Sequence, residues 1–211
     1  MTLPGPTRRW PLTIDEMDLF VLESSNVDEL LDAAIDEESV APYGVVLWHS
    51  AVAVAHRLAT YGSLTGVRVL DLGAGTGLCS MVAAKRGAQV LAVDIIDSPL
   101  ALLREASRQQ GLDIQTGHFD VFSATKLPDA DLVIVADLLY ERALARQVGF
   151  RVVEAYQRGN RVLVGDPERA FRRAFSNVLQ RADVDVRWDV AYAKLADEQR
   201  PQRCGILELG G

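Results

Sequence analysis

The sequence predicts an α/β fold, a doubly wound sheet of seven strands that ends in an antiparallel hairpin and is preceded by a short helical extension. Three observations carry that expectation. Apolar runs rich in β-branched residues alternate with helical patterns through the first five strands. The first of these runs, Val67-Arg68-Val69-Leu70-Asp71-Leu72, passes into a turn with glycine at alternate positions, Gly73, Gly75 and Gly77. Two final apolar runs, 184–192 and 205–209, read as an antiparallel pair.

Length and composition set the frame for the elements. A chain of 211 residues is expected to form one domain with a substantial core, residues 1–40 being an extension or lid and 41–211 the core. Hydrophobic residues at 49% and charged residues at 24% match an ordinary globular protein. The net charge of −7 argues against a general nucleic-acid-binding surface. No apolar run approaches the ~20 residues that span a bilayer. Arg8 and Arg9 lead into an acidic segment, which is not a signal-peptide pattern. Cys79 and Cys204 suggest neither a disulfide framework nor a zinc site, so no metal is expected, and the expected compartment is the cytoplasm. A monomer or weak dimer is expected.

Residues 1–9, with Pro4, Gly5 and Pro6, read as a loose arm. No Lys or Arg occurs between Trp10 and His56, while acids are frequent from Asp15 to Glu38. Within that stretch Leu19-Phe20-Val21-Leu22 suits a short strand. Asn26 then caps a helix with Glu29 three residues on, and Val27, Leu30, Leu31 and Ala34 line one face. The acids form a solvated face or, alternatively, a lid that attracts a basic protein. After Ala41-Pro42-Tyr43-Gly44, an apolar segment leads into a helix whose Val52, Ala55, Leu58 and Ala59 face the core. On spacing alone, Trp48 reads as core filler.

The glycine turn lets the backbone bend sharply and approach a ligand with no Cβ in the way. With the helical pattern Leu78, Met81, Val82 and Lys85 behind it, it opens a Rossmann-like, nucleotide-binding unit. A dinucleotide fingerprint would put its third glycine where this chain has Leu78. Asp71 just before the turn is ill suited to a pyrophosphate and better suited to a ligand with an amino group and a sulfonium. The second strand, 89–94, ends in Asp94, which lies 21 residues beyond Gly73, where an acid accepts hydrogen bonds from ribose hydroxyls. Ser98-Pro99 supplies an N-cap and a first-turn proline for a helix that stops at Gly111. A third strand over 113–117 precedes His118-Phe119-Asp120, which a doubly wound fold sets beside the adenine. Residues 131–136 form a fourth strand bearing Asp137-Leu138-Leu139-Tyr140, followed by a helix over 141–158. Strand five covers 161–165, and an Arg-rich helix (Arg169, Arg172, Arg173, Arg181) covers 168–181.

With these pieces placed, the chain resembles lysine methyltransferase family 16, a branch of the seven-β-strand methyltransferases. Within it, the chain is similar to bacterial relatives of the electron-transfer-flavoprotein β-subunit lysine methyltransferase, also labelled nicotinamide N-methyltransferase-like. The resemblance covers about residues 40–170: Pro42-Tyr43, Leu47-Trp48, the Asp71–Gly77 loop, Asp94, Asp137-x-x-Tyr140 and Gly165-Asp166-Pro167. It implies S-adenosylmethionine as cofactor, with Trp48, Asp71, Gly73, Ala74, Gly75, Asp94, Ile95, Phe119 and Ala136 around it. Trp48 would contact the cofactor, Gly73 and Gly75 its methionine part, Asp94 the ribose and Phe119 the adenine, while Ala136 floors the site. Family members often carry proline after the tryptophan; this chain has His49, which is either catalytic or structural at a helix start.

The chemistry follows from the nucleophile. A lysine amine, with a pKa near 10.4, arrives charged and must lose a proton. Asp137 would hold the ammonium and Tyr140 would position the amine by its ring or hydroxyl, unless both merely build the start of the following helix. The expected activity is methylation of protein lysine, with a small amine or heterocyclic nitrogen as the alternative substrate. A non-catalytic cofactor-binding protein is a further alternative.

Overall fold

The computed structural model describes residues 3, 5–36, 40–195 and 198–210. Pro4 of the expected arm and Glu38 of the acidic run lie outside the described residues. The chain opens with an antiparallel pair, β1 (Thr7–Ile14) and β2 (Met17–Ser24). This corrects the loose arm: Thr7, Arg8 and Arg9 pair with Ser24, Glu23 and Leu22. Prolines in and before the strand concealed it, and Pro11 is tolerated because β1 has a neighbour on one side only. Asp15, at a left-handed φ of 55°, closes the turn. Gln110 fixes the pair to the body, accepting the Phe20 N–H at 3.1 Å and donating to the Phe20 carbonyl at 2.9 Å. Glu23 accepts the Leu47 N–H at 2.5 Å, just before Trp48. Helix α1 (Val27–Asp36) follows Asn26, whose amide donates to Glu29 at 2.9 Å.

The alternation predicted from sequence then runs as α2 (His49–Ala59), β3 (Arg68–Leu72), α3 (Leu78–Lys85), β4 (Gln89–Asp94), α4 (Asp97–Gln109), β5 (Ile114–His118), β6 (Leu132–Ala136), α5 (Arg142–Gln157) and β7 (Arg161–Asp166). Helix α6 (Arg172–Arg181) and strands β8 (Trp188–Ala193) and β9 (Gln202–Leu209) complete the chain. Seven strands form a Rossmann-like sheet in the order β5-β4-β3-β6-β7-β9-β8. The first five are parallel; β9 runs antiparallel to both β7 and β8. The strand order reverses between β3 and β6, which opens a crevice at their carboxyl ends.

Alternation along each strand feeds two cores. Val69 packs with α2, α3 and α4, whereas Leu70 and Leu72 pack with α5 and α6. Two helix starts differ from the sequence expectation. Helix α4 begins at Asp97 with Ile96 in the cap position, so Ser98 is not the cap; Pro99 still sits in the first turn, where a missing N–H is harmless. Helix α6 begins at Arg172, because Glu168 at φ 61° interrupts the helical path. No helix among the described residues is long and apolar enough to cross a membrane.

Strand β7 passes beneath α2 at Gly165, one residue before its end. A Cβ there would collide with Val54 and stand 3.1 Å from the Ser50 carbonyl oxygen. Gly165→Ala is expected to lower stability by about 1–3 kcal/mol. Denaturant unfolding checks this, and an unchanged midpoint would mean that α2 shifts freely.

Candidate active site

A cavity of about 580 Å³ opens at the carboxyl ends of β3, β4 and β6. That volume suits a small-molecule ligand site. Trp48, Asp71, Gly73, Ala74, Gly75, Asp94, Ile95, Phe119, Ala136, Asp137 and Tyr140 all border it. The structure thus brings together the residues that the resemblance set around the cofactor and the acceptor, but not His49 or His118. Their roles follow from what each one touches.

Gly73 and Gly75 adopt left-handed conformations, φ 70° and 54°, that carry the chain from β3 to α3. A Cβ on Gly75 would lie 3.3 Å from the Gly44 carbonyl oxygen, so the 41–46 segment lies directly against this turn. The Gly73 and Ala74 N–H groups both donate to the Val93 carbonyl, at 2.9 and 3.0 Å, and tie the turn to β4. Asp71 is 2% exposed, and its Oδ2 accepts the Ser80 hydroxyl at 2.6 Å. Burial pushes its pKa up to about 6, against the opposing hydrogen bond from Ser80.

Asp94, at the end of β4, accepts the N–H groups of Gly75 and Ile96, each at 3.1 Å. These bonds fix its orientation and leave further lone pairs towards the cavity. Burial raises its pKa, although the backbone donors work the other way. Phe119 donates its N–H to the Asp94 carbonyl at 3.0 Å, and the Arg151 guanidinium lies 5.3 Å from its ring centroid. Ala136 ends β6 and borders the same space.

The far end of the cavity is built around Asp137, which is buried and left-handed at φ 63°. Its N–H donates to the Gly165 carbonyl at 3.0 Å, and its Oδ2 accepts the Ser50 hydroxyl at 2.6 Å. Its Oδ1 accepts Arg169 Nε at 2.7 Å and also Arg169 Nη2. The Arg169 guanidinium lies 5.4 Å from the centroid of the Trp48 ring, whose Nε1 donates to the Tyr43 carbonyl at 2.9 Å. Tyr43 meets Tyr140 edge to face at 5.6 Å. Burial and then the Asp94 charge raise the Tyr140 pKa, so its hydroxyl keeps its proton. His49 points elsewhere: its Nε2 is 2.7 Å from the Glu198 carboxylate, and it does not border the cavity.

Sequence reasoning missed Ser50 and Arg169 as parts of this site. Ser50 directly follows the Trp48-His49 pair, and Arg169 lies three residues after Asp166, but no local pattern points either side chain at Asp137. Among the described residues, no cluster of His, Cys, Asp and Glu could hold a metal ion.

Residues 69–149 match the family model of a methyltransferase domain. The chain is 37% identical over 99 residues to an uncharacterized protein of Mycobacterium tuberculosis (strain ATCC 25618 / H37Rv), covering 47% of this chain and 31% of that one. It is 30% identical over 123 residues to the mouse histone-arginine methyltransferase METTL23, covering 53% of this chain and 47% of the relative. The chain therefore spans less than half the length of these curated relatives. The solved magnesium protoporphyrin IX methyltransferase (ChlM) of Synechocystis PCC 6803 with bound S-adenosylmethionine superposes with a TM-score of 0.58 at 15% identity, over 90% of this chain and 86% of that one. The fold is that of the S-adenosylmethionine-dependent methyltransferases.

Asp71 carries a stability consequence. Its native pKa of about 6 lies above the ordinary 3.8, so between those values the folded protein keeps a proton that the unfolded chain has released. Stability falls as pH rises through that window, and at neutral pH the ionised carboxylate costs about 3 kcal/mol. Asp71→Asn is expected to raise the thermal midpoint at pH 7 by several degrees and to change it little at pH 4. Melting curves at both pH values check this; a midpoint that drops at pH 7 would contradict it.

Proposed function

We propose that this chain is an S-adenosylmethionine-dependent N-methyltransferase that methylates lysine side chains of a protein. The observation that carries the reading is one open cavity that joins Asp71, the glycine turn and Asp94 to Asp137 and Tyr140. The cofactor supplies an electrophilic methyl group on a sulfonium. Asp71 is a buried carboxylate whose only side-chain hydrogen-bond donor among the described residues is neutral, so it suits a ligand's cationic amino group. Asp94 faces the cavity with lone pairs for ribose hydroxyls, and Phe119, Ile95 and Ala74 offer apolar contact to the adenine end. Two buried, unpaired cysteines support placement in a reducing cytoplasm.

At the acceptor end, the Asp137 carboxylate would hold the substrate's cation once it is bound. The Tyr140 hydroxyl oxygen accepts an N–H and turns the amine lone pair towards the methyl group. Desolvation by Trp48, Tyr43 and Tyr140 works against the carboxylate's preference for the cation and favours release of the ammonium proton to solvent, which leaves the neutral nucleophile. Alignment of this kind contributes up to roughly 7–11 kcal/mol in well-oriented systems. One observation favours a second reading. A guanidinium, that of Arg169, already lies between Asp137 and the Trp48 face, an arrangement that also suits an arginine acceptor, the substrate named for the mouse relative.

Three measurements test the proposal. Calorimetry should show S-adenosylhomocysteine binding and no NAD binding. Asp94→Ala should weaken S-adenosylhomocysteine binding about ten- to a hundredfold through lost charge-assisted hydrogen bonds; undiminished affinity would remove Asp94 from the ribose site. Incubation with labelled cofactor and a host lysate should label protein in a manner abolished by Asp137→Ala. Label confined to small molecules would replace lysine with a free amine, and label in neither fraction would leave a non-catalytic binder.

A further inference from the structure

Arg169 stands where the proposed acceptor would have to bind. Its guanidinium makes hydrogen bonds to Asp137 alone among the described residues, and it lies over the Trp48 ring, 5.4 Å from the centroid. A buried carboxylate, an indole face and a hydroxyl from Tyr140 at the same cavity wall make a cation site. We propose that this is the subsite for the substrate's own cationic nitrogen, and that Arg169 fills it until substrate displaces it. The inference rests on the methyltransferase reading for its purpose, but the subsite itself can be tested without turnover.

Charge decides the point. With Arg169 seated, the Asp137 carboxylate is neutralised, and an arriving ammonium or guanidinium would meet a like charge instead of an attractive one. Removing Arg169 without replacement would leave Asp137 buried and unpaired, which is costly. Exchange of one cation for another avoids both problems, because the carboxylate stays paired throughout.

Of the two partners of Asp137, Arg169 is the one that can leave. Ser50 is fully buried on α2, whereas the Arg169 side chain is 28% exposed at the cavity wall. The backbone beneath it is anchored: the Arg169 N–H donates to Asp166 Oδ2 at 2.9 Å, and Glu168 pairs with Arg203 at 2.7 Å. Displacement therefore requires side-chain rotation only. Arg172, one turn on, differs in kind. It donates to Asp166 Oδ2 at 2.8 Å and to the Asp166 carbonyl at 2.7 Å, and it lies over Trp188, so it is committed to the fold.

The test uses the full chain and two simple cations, methylguanidinium and n-butylammonium, titrated by calorimetry into wild type, Arg169→Ala, Arg169→Gln and Arg169→Lys. If Arg169 leaves the subsite open for about a tenth of the time or less, its removal strengthens apparent affinity for a cation about tenfold or more. Arg169→Ala and Arg169→Gln are expected to show that gain, Arg169→Lys to stay near wild type, and Asp137→Asn added to Arg169→Ala to abolish it. Tighter binding of methylguanidinium points to an arginine acceptor, and of n-butylammonium to an amine. S-adenosylhomocysteine affinity, measured alongside, reports whether the rest of the site is intact. If the Ala and Gln variants keep that affinity and bind neither cation better than wild type, the subsite is refuted. If wild type binds no S-adenosylhomocysteine while the variants gain cation affinity, the cofactor reading fails and the subsite stands.

Discussion

Four carboxylates, Asp71, Asp94, Asp137 and Asp166, gather at the carboxyl edge of the parallel sheet, Asp94 half-buried and the others buried, and satisfying them there is the constraint that orders this end of the molecule. Each is satisfied differently. Asp71 has a serine hydroxyl, Asp94 has backbone N–H groups, Asp137 has a serine and Arg169, and Asp166 has Arg172. Burial raises the pKa of Asp71, Asp94 and Asp166, which measures what their placement costs. The division between neutral and charged partners is informative. Asp71 and Asp94 have only neutral donors and retain capacity for a ligand's cation or hydroxyls, whereas Asp166 already has its own cation. A fold that tolerates uncompensated acids in this way gives up stability for a site.

The sheet was legible because parallel strands buried on both faces read as unbroken apolar runs, and because each glycine or acid at a strand end marks where the chain leaves the sheet. Asp71, Asp94 and Asp137 could be placed at the cavity for the same reason, since each lies within one residue of a strand's end and local pattern fixes where the strand stops. The hairpin of β1 was not legible. Its prolines argue against a strand when read locally, and what holds it is remote, as in the contact between Phe20 and Gln110. The Asp137 partners were hidden likewise: Ser50 lies 87 residues away and Arg169 32 residues away, so tertiary packing alone brings them together.

The N-terminal segment divides into two parts with different relations to the cavity. Residues of β1 and β2 are held to the body by Gln110, by Lys85 donating to the Asp18 carbonyl at 2.8 Å, and by an Arg86–Asp15 pair at 2.7 Å. Those contacts fix the hairpin as a wall. The stretch that reaches the cavity is later: Val40, Ala41, Tyr43 and Gly44 border it. Val40, Tyr43, Ile95 and Phe122 are exposed apolar side chains around the same opening. The apolar rim and the Asp137 end divide the cavity into an apolar part and a charged part.

The charged part depends on a residue with no side chain. Asp137 holds a left-handed conformation that costs of order 1–3 kcal/mol for a non-glycine residue. Two contacts secure it, the bond from its N–H to the Gly165 carbonyl and the bond from Ser50 to its carboxylate. The bond from Ser50 requires α2 to approach β7 closely, and Gly165 is where the two meet, against Val54 and the Ser50 backbone. The glycine of the Gly165-Asp166-Pro167 motif therefore acts at a distance from any ligand. It lets a helix descend far enough for one serine to orient the Asp137 carboxylate at the cavity.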